Sequence, residues 1–348
     1  MELKSIIQQY KPALIKKVST RLLPGQWQAL NAMQRCRTAD SGKIALQCKH
    51  CDHVHWVPLS CGHRHCPQCQ NHEVNQWLDR QQQKLLPVEY FMVTFTLPAQ
   101  LRSLAWRHQK QVYRLFFSCV SSTLKDFGLN PDQLGADLGL TAVLHTHSRR
   151  LDYHPHIHVV VPGGGVDRKR KQWRKLKGQY LFNEFALAKV FRARFIEALK
   201  NDGFSIPQTL PKQWVANVQR VGRGLPALKY LSRYLYRGVI SEKNIIANKN
   251  GKVTFRYTNS RSGQTETRTL KGEDFLALIL QHVLPRGFRR VRDYGFLHAN
   301  AKALLKIVQL ILQIKLQALP LRKRAAFCCP KCKAPMVITS IQQASNSS

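Results

Sequence analysis

Residues 144–161 read LHTHSRRLDYHPHIHVVV, which places five histidines in two short runs separated by a polar turn. Two such runs around a short turn predict a β-hairpin. Side chains alternate along a strand, so the second run sets His154, His156 and His158 on one face and Ile157 and Val159 on the other. A turn centred between Arg150 and Leu151 puts His145 opposite His156 and His147 opposite His154, and histidines of both strands then share a face. One histidine on a half-exposed strand would be an ordinary polar residue; a cluster at this spacing describes a metal site. Neutral imidazoles suit Mn, Co, Ni, Cu or Zn, and three of them leave positions open for a substrate oxygen. His145, His156 and His158 are the expected ligands.

Downstream, ALKYLSRYLYR (227–237) follows a Gly-Arg-Gly-Leu-Pro turn and predicts a short helix. Tyr230 and Tyr234 are four apart and share one helix face, with Tyr236 off that face and Leu231 and Leu235 forming an adjacent apolar stripe. Tyrosines at helical spacing usually pack a core; beside a metal site they read as nucleophiles. A phenol has a pKa of about 10, so Arg233 and Arg237 would favour the phenolate while a bound cation polarises a phosphate oxygen. Attack gives a covalent phosphotyrosine that keeps the energy of the phosphodiester for rejoining. Two tyrosines permit two linked cleavages.

The chain has 348 residues, 44% of them hydrophobic, enough for a sizeable core and two or three domains. Lys and Arg number 55 against 19 Asp and Glu, a formal charge of +36. That surplus calls for a polyanion, and phosphate neutralisation with counterion release makes such binding steeply salt-dependent. A membrane is excluded as the partner, because no long apolar run or cleavable leader is evident and the most apolar stretch, 299–319, is broken by Lys302, Lys306 and Lys315. That stretch predicts an amphipathic helix. A cytoplasmic, nucleoid-associated protein is expected, in which ten cysteines are metal ligands before they are disulfides.

Residues 48–69 read CKHCDHVHWVPLSCGHRHCPQC, two CxxC knuckles separated by fourteen residues. Paired knuckles at this distance predict a structural zinc on Cys48, Cys51, Cys66 and Cys69; Cys61, His63 and His65 could replace one ligand or hold a second ion, with packing or DNA contact the favoured role for each. A closed four-thiolate site stabilises a module and takes no part in cleavage. Near the end, Cys329 and Cys332 form a single knuckle beside Cys328; it either borrows ligands from elsewhere or is a remnant. Cys36 and Cys119 read as small buried residues.

After Gly163, Gly164 and Gly165 comes DRKRKQWRKLKG, with seven basic residues around one tryptophan. Such runs are commonly solvated loops, but the interleaved aromatic makes Arg168, Lys169, Arg170, Lys171, Trp173 and Arg174 candidates for phosphate contact and base stacking. Arg233, Arg237, Arg289 and Arg290 join them as candidate DNA contacts; His147 and His154 could support the metal or touch DNA. Helices are expected through about Cys36, over 71–86, 100–127 and 185–199. Strands are expected at 90–95 and 214–218, with a polar hairpin at 253–257 and 266–270 and a disordered tail from Ser345.

His156-Ile157-His158 with Tyr230 and Tyr234 resembles the two-tyrosine HUH nucleases. The ordered set of CRT (36–38), RHCPQCQ, FTLP, HPHIH followed by PGGG, YLSRYLYR and HVLPRGFRRVRDYG is similar to the insertion-sequence-ninety-one family of rolling-circle transposases. The resemblance spans roughly residues 10–335. It implies a ferredoxin-like palm, cleavage of single-stranded DNA at mobile-element ends through a 5′-phosphotyrosine and a free 3′-hydroxyl, and transfer to target DNA with Mg or Mn at the histidines. The expected architecture is α+β: a helical and zinc module (1–86), an HUH catalytic domain with an antiparallel sheet bearing helices (87–240), a basic hairpin and helical region (241–327), and a cysteine knuckle with tail (328–348). A plasmid replication initiator or relaxase would share this chemistry; a non-catalytic zinc-dependent DNA-binding protein would leave the histidines and tyrosines unexplained.

Overall fold

Two helices open the chain, α1 (Leu3–Val18) and α2 (Pro24–Arg35). Leu3, Ile6, Ile7, Tyr10 and Leu14 recur at helical spacing and form the buried face of α1. Pro24 begins α2, and the Gln26 side chain accepts from the Leu23 amide at 2.9 Å, satisfying a donor that a helix start leaves open. The computed structural model describes residues 2–18, 22–69, 71–235, 239–259, 262–314 and 326–343, and only the backbone of residues 230 and 233–235. A hairpin of β1 (Lys43–Cys48) and β2 (Val54–Pro58) follows, then α3 (Asn71–Gln82). That helix stops short of Pro87 in successive turns at 82–85.

The central sheet begins with β3 (Tyr90–Thr96), followed by α4 (Arg102–Arg107) and α5 (Gln109–Leu129). The histidine hairpin is β4 (Gly139–His147) and β5 (Tyr153–Pro162). The charged run, expected as a loop, forms a hairpin of β6 (Gly164–Asp167) and β7 (Gln172–Lys175). Next come α6 (Glu184–Asn201), β8 (Ala216–Gly222) and α7 (Leu225–Leu235). The sequence β3-α5-β4-β5-α6-β8, with the antiparallel neighbours β4-β5-β3-β8, is a ferredoxin-like split βαβ arrangement.

A second, three-stranded sheet contains β9 (Ile245–Lys249), β10 (Lys252–Thr258) and β11 (Thr265–Lys271). It leads into α8 (Gly272–Leu280) and then β12 (Val291–Gly295), which returns to the free edge of β4 and makes the central sheet five-stranded. α9 (Lys302–Ile311) is the described part of the expected amphipathic helix; positions 315–319 lie outside the described residues, as does the tail from Ser345. The last strand, β13 (Met336–Gln342), pairs with β1.

Period-two alternation gives the central sheet two apolar faces. One carries Phe91, Val93, Phe95, Ile157, Val159 and Val161 against Phe116, Phe117, Phe191 and Phe195 of α5 and α6. Each such fully buried side chain contributes about 1.5–3 kcal/mol. The opposite face carries Val143 and Val160, in register with the histidines, against Ala227, Leu228 and Leu231 of α7 and Trp77 and Leu78 of α3. Close approach explains the glycines after Pro162. A Cβ at Gly164 would lie 2.5 Å from the Trp173 ring, and one at Gly165 would lie 2.7 Å from the Asp137 carbonyl.

Packing does not divide the chain at 86, 240 and 327. α1 and α2 share a core with Phe255, Phe275 and Leu276 from the expected third region. β12, also from that region, completes the central sheet, while the C-terminal segment joins the N-terminal one. Each correction has one cause: a strand edge or an apolar helix face is covered by the segment that reaches it, however far away in sequence.

Candidate active site and metal centres

Pairing of β4 with β5 sets His145 opposite His156 and Val143 opposite His158. The ligating atoms of His145, His156 and His158 lie within 4.8 Å of one another. A register shift after His145 places His147 opposite Tyr153 instead of His154. The turn causes it: Leu151, at φ 68°, inserts its side chain into the second core and its carbonyl accepts from His282 Nε2 at 2.8 Å. A left-handed non-glycine residue persists only where its surroundings hold it.

Hydrogen bonds orient the imidazoles. His156 Nδ1 donates to the His154 carbonyl at 2.7 Å, which leaves the Nε2 lone pair for a cation. His158 Nδ1 meets the Thr94 hydroxyl at 2.8 Å. Arg102 donates to His154 Nδ1 at 2.7 Å, so His154 sits at the rim. His147 packs against His282 with ring centroids 5.3 Å apart. Burial pushes His156 down to about 4 and His158 to about 3, and burial together with the neighbouring histidines holds His145 well below the usual range. All three are neutral near pH 7, the state in which imidazole is a ligand. The chemistry of this donor set fits a divalent ion.

The histidines form the floor of an open cleft of about 710 Å³. Arg149, Asn244 just before β9, and Arg256 and Tyr257 of β10 also line the cleft. These wall residues escaped sequence reasoning because only the fold brings β10 over β5. Helix α7 packs by Leu228 and Leu231 on the histidine face, and Val239 lies in the cleft wall. Tyr230 and Tyr234 lie on this helix at i and i+4, which share a face by helical geometry. The side chains of Tyr230, Arg233 and Tyr234, and residues Tyr236 and Arg237 entirely, lie outside the described residues.

The cysteines depart from the expected four-ligand set. Cys66 and Cys69 gather with Cys36 and Cys61, whereas Cys48 and Cys51 gather with Cys329 and Cys332. Sulfur separations in the first group are 3.6 Å for Cys36–Cys69, 3.6 Å for Cys36–Cys66 and 3.7 Å for Cys61–Cys69. Hydrogen bonds from Cys61 and Cys66 hold the Cys69 thiol well below the usual thiol range. Cys36, expected as a packing residue, therefore belongs to a ligand cluster, and so does Cys61. The two knuckles part because β1 and β2 carry Cys48 and Cys51 to the end of a hairpin, while Cys66 and Cys69 pack with Ala29, Leu30 and Met33 of α2 and with Cys36 just after it. His65 is buried and its Nε2 accepts from the Leu284 amide at 3.2 Å, a packing role.

One expected DNA contact is corrected and another gains a packing role. Trp173 is only partly buried; it packs on Phe296 with ring centroids 6.0 Å apart, against an apolar cluster with Leu297 and Val308. Arg290 is buried; its neighbour Arg289 is exposed. Within the basic hairpin, Arg168 pairs with Asp137 at 2.8 Å and Arg174 with Asp167 at 2.9 Å. Arg170 stands 3.8 Å from Asp167, and Lys169 and Lys171 are exposed at the tip.

Comparison with known proteins yields two matching families: "Transposase zinc-binding domain" over residues 6–97 and "Putative transposase" over 139–303. The chain is 34% identical over 319 residues to the putative transposase y4qJ of Sinorhizobium fredii, covering 85% of this chain and 80% of that one. It is 26% identical over 289 residues to the transposase for insertion sequence element IS801 of Pseudomonas savastanoi pv. phaseolicola, covering 78% and 70%. Among solved structures, TrwC complexed with a 27-mer DNA matches at 16% identity and TM-score 0.29, over 65% of this chain and 75% of that one. Among the described residues no helix is long and apolar enough to cross a membrane.

Proposed function

We propose that this chain, which belongs to the insertion-sequence-ninety-one family of transposases, cuts single-stranded DNA at the ends of its element through Tyr230 and Tyr234 and rejoins it in rolling-circle fashion. The supporting observation is the trio His145, His156 and His158 on the sheet face against which α7 packs. These three would hold a divalent ion, Mg or Mn, which when bound polarises the scissile phosphate. The cleft between floor and second sheet suits one strand: Arg149 and Arg256 supply phosphate contacts, with Lys169, Lys171 and Arg289 extending the basic surface.

A tyrosine oxygen attacks phosphorus, an O–P bond forms, and the bond to the 3′ oxygen breaks. The phenol loses its proton, and the departing 3′ oxygen takes one up as a free hydroxyl. Reversal with a new 3′ end rejoins the strand without an external energy source. A second tyrosine one helical turn away allows a second strand to be taken before the first is released. Cys36, Cys61, Cys66 and Cys69 hold structural zinc for the DNA-binding module, since their sulfurs stand at about the edge of a tetrahedral four-thiolate site. The protein acts on element-end and target DNA at the bacterial nucleoid, a reading supported by the charge of +36.

The test is a denaturing gel of the protein incubated with a labelled single-stranded oligonucleotide from the element end and divalent metal. A covalent adduct is expected for the wild type and for either single Tyr→Phe variant in at least one case, none for Tyr230→Phe with Tyr234→Phe, and none for His156→Ala despite retained salt-sensitive binding. An adduct that survives in the double tyrosine variant, or peptide mapping to Tyr236, would refute the assignment.

A further inference from the structure

We propose that Cys48, Cys51, Cys329 and Cys332 hold a second zinc ion, which fastens the C-terminal strand of the protein to its N-terminal module. Cys48 ends β1 and Cys51 lies in the turn after it; Cys329 and Cys332 lie in the turn before β13. Ligating sulfurs of the four lie within 4.8 Å of one another. The Cys48 sulfur is 3.4 Å from that of Cys332, and the Cys51 sulfur is 3.6 Å from that of Cys329. A tetrahedron with zinc–sulfur bonds of about 2.3 Å has edges of about 3.8 Å, whereas a disulfide brings its sulfurs to about 2.05 Å. The sulfurs thus stand at the separation that an ion requires.

The surroundings agree. His50 donates its amide to the Cys48 sulfur at 3.4 Å, as His63 does to Cys61 in the first cluster. The C-terminal turn is closed by the Cys329 amide on the Ala334 carbonyl at 2.8 Å and the Lys333 amide on the Cys329 carbonyl at 2.9 Å. Two tight turns, each with a CxxC knuckle, therefore face one another. Cys328 stays outside, exposed.

Beyond its backbone pairing with β1, β13 has little apolar support. Met336 is its one buried residue, while Val337, Ile338 and Ile341 are exposed. Cys48 and Cys332 are 284 positions apart. Bringing such distant segments together and ordering seven residues costs conformational entropy, against which β13 sets its pairing with β1 and one buried methionine. A four-thiolate ion, whose binding energy is folding energy, offsets that cost.

Cobalt(II) serves as the probe in the reduced full-length chain after the native metal has been exchanged. The expected thiolate-to-cobalt absorbance corresponds to two four-sulfur sites, halved by Cys329→Ser with Cys332→Ser and halved also by Cys36→Ser with Cys61→Ser. Unchanged absorbance in the C-terminal double variant, or absorbance for a single site in the wild type, overturns the proposal. A measurement without variants guards against misfolding. Alkylation mapped by peptide mass spectrometry should spare Cys329 and Cys332 in zinc-loaded wild type and label them after chelation, with amide exchange in β13 accelerating together. Equal labelling in both states, or a disulfide among these four in the zinc-loaded reduced protein, overturns it.

Discussion

Thr94 illustrates how a single hydroxyl governs the histidine cluster, because it meets His158 Nδ1 at 2.8 Å from the neighbouring strand, where Thr94 is in register with His158. A partner on one imidazole nitrogen fixes the ring and its tautomer, leaving the other nitrogen aimed at the ion. Thr94→Val keeps the shape and removes the bond. It should weaken the divalent ion at the histidines about 10- to 100-fold, measured as a rightward shift in the metal dependence of adduct formation, with the yield recovered at saturating metal. An unshifted curve would show that Thr94 does not orient the ligand. A signal for Thr94 existed in YFMVTFTLP, where Thr94 and Thr96 are the polar members of an alternating strand; choosing its partner needed the strand order. Arg102 had no comparable signal, since it approaches His154 from α4 across 52 positions.

The β6–β7 hairpin changes the meaning of its tryptophan. Charge density predicts a solvated loop, yet Gly164 and Gly165 let the hairpin lie close to Asp137, and Trp173 points toward Phe296. Trp173→Ala should therefore cost stability, about 2 kcal/mol because the ring is only partly buried, read from denaturant unfolding. Affinity for single-stranded DNA at constant salt should stay within about twofold of wild type, since base stacking at about 1–3 kcal/mol per base is not lost. Undiminished stability with sharply weakened binding would restore the stacking role. The helix α7 was legible from its Tyr-Leu-Tyr-Leu spacing; of the expected stripe Leu231 packs on the sheet, joined by Leu228, while the side chain of Leu235 lies outside the described residues.

Acid should loosen the whole molecule through its buried neutral histidines. Burial lowers His156 to about 4, His158 to about 3 and His282 to about 4, against 6.5 in the open chain. Between those values and 6.5 the unfolded chain binds more protons, so the stability present above pH 6.5 is lost as pH falls toward about 4 and levels off below about 3. Melting temperature without added divalent metal should fall steeply across that window, and His282→Leu, if it folds, should reduce the slope; a flat profile would contradict neutral burial. What sequence alone determined were the features written in local spacing: the histidine hairpin, the paired tyrosines, the CxxC knuckles, the basic balance and the family's ordered motifs. They are legible because strand and helix periods act within a few residues. Tertiary structure decided which knuckle meets which, that β12 and β13 return to distant strands, that Arg290 and Trp173 turn inward, and that β10 walls the cleft. Those outcomes depend on which exposed edge or apolar face each segment covers, a property of the assembled packing that no local pattern encodes.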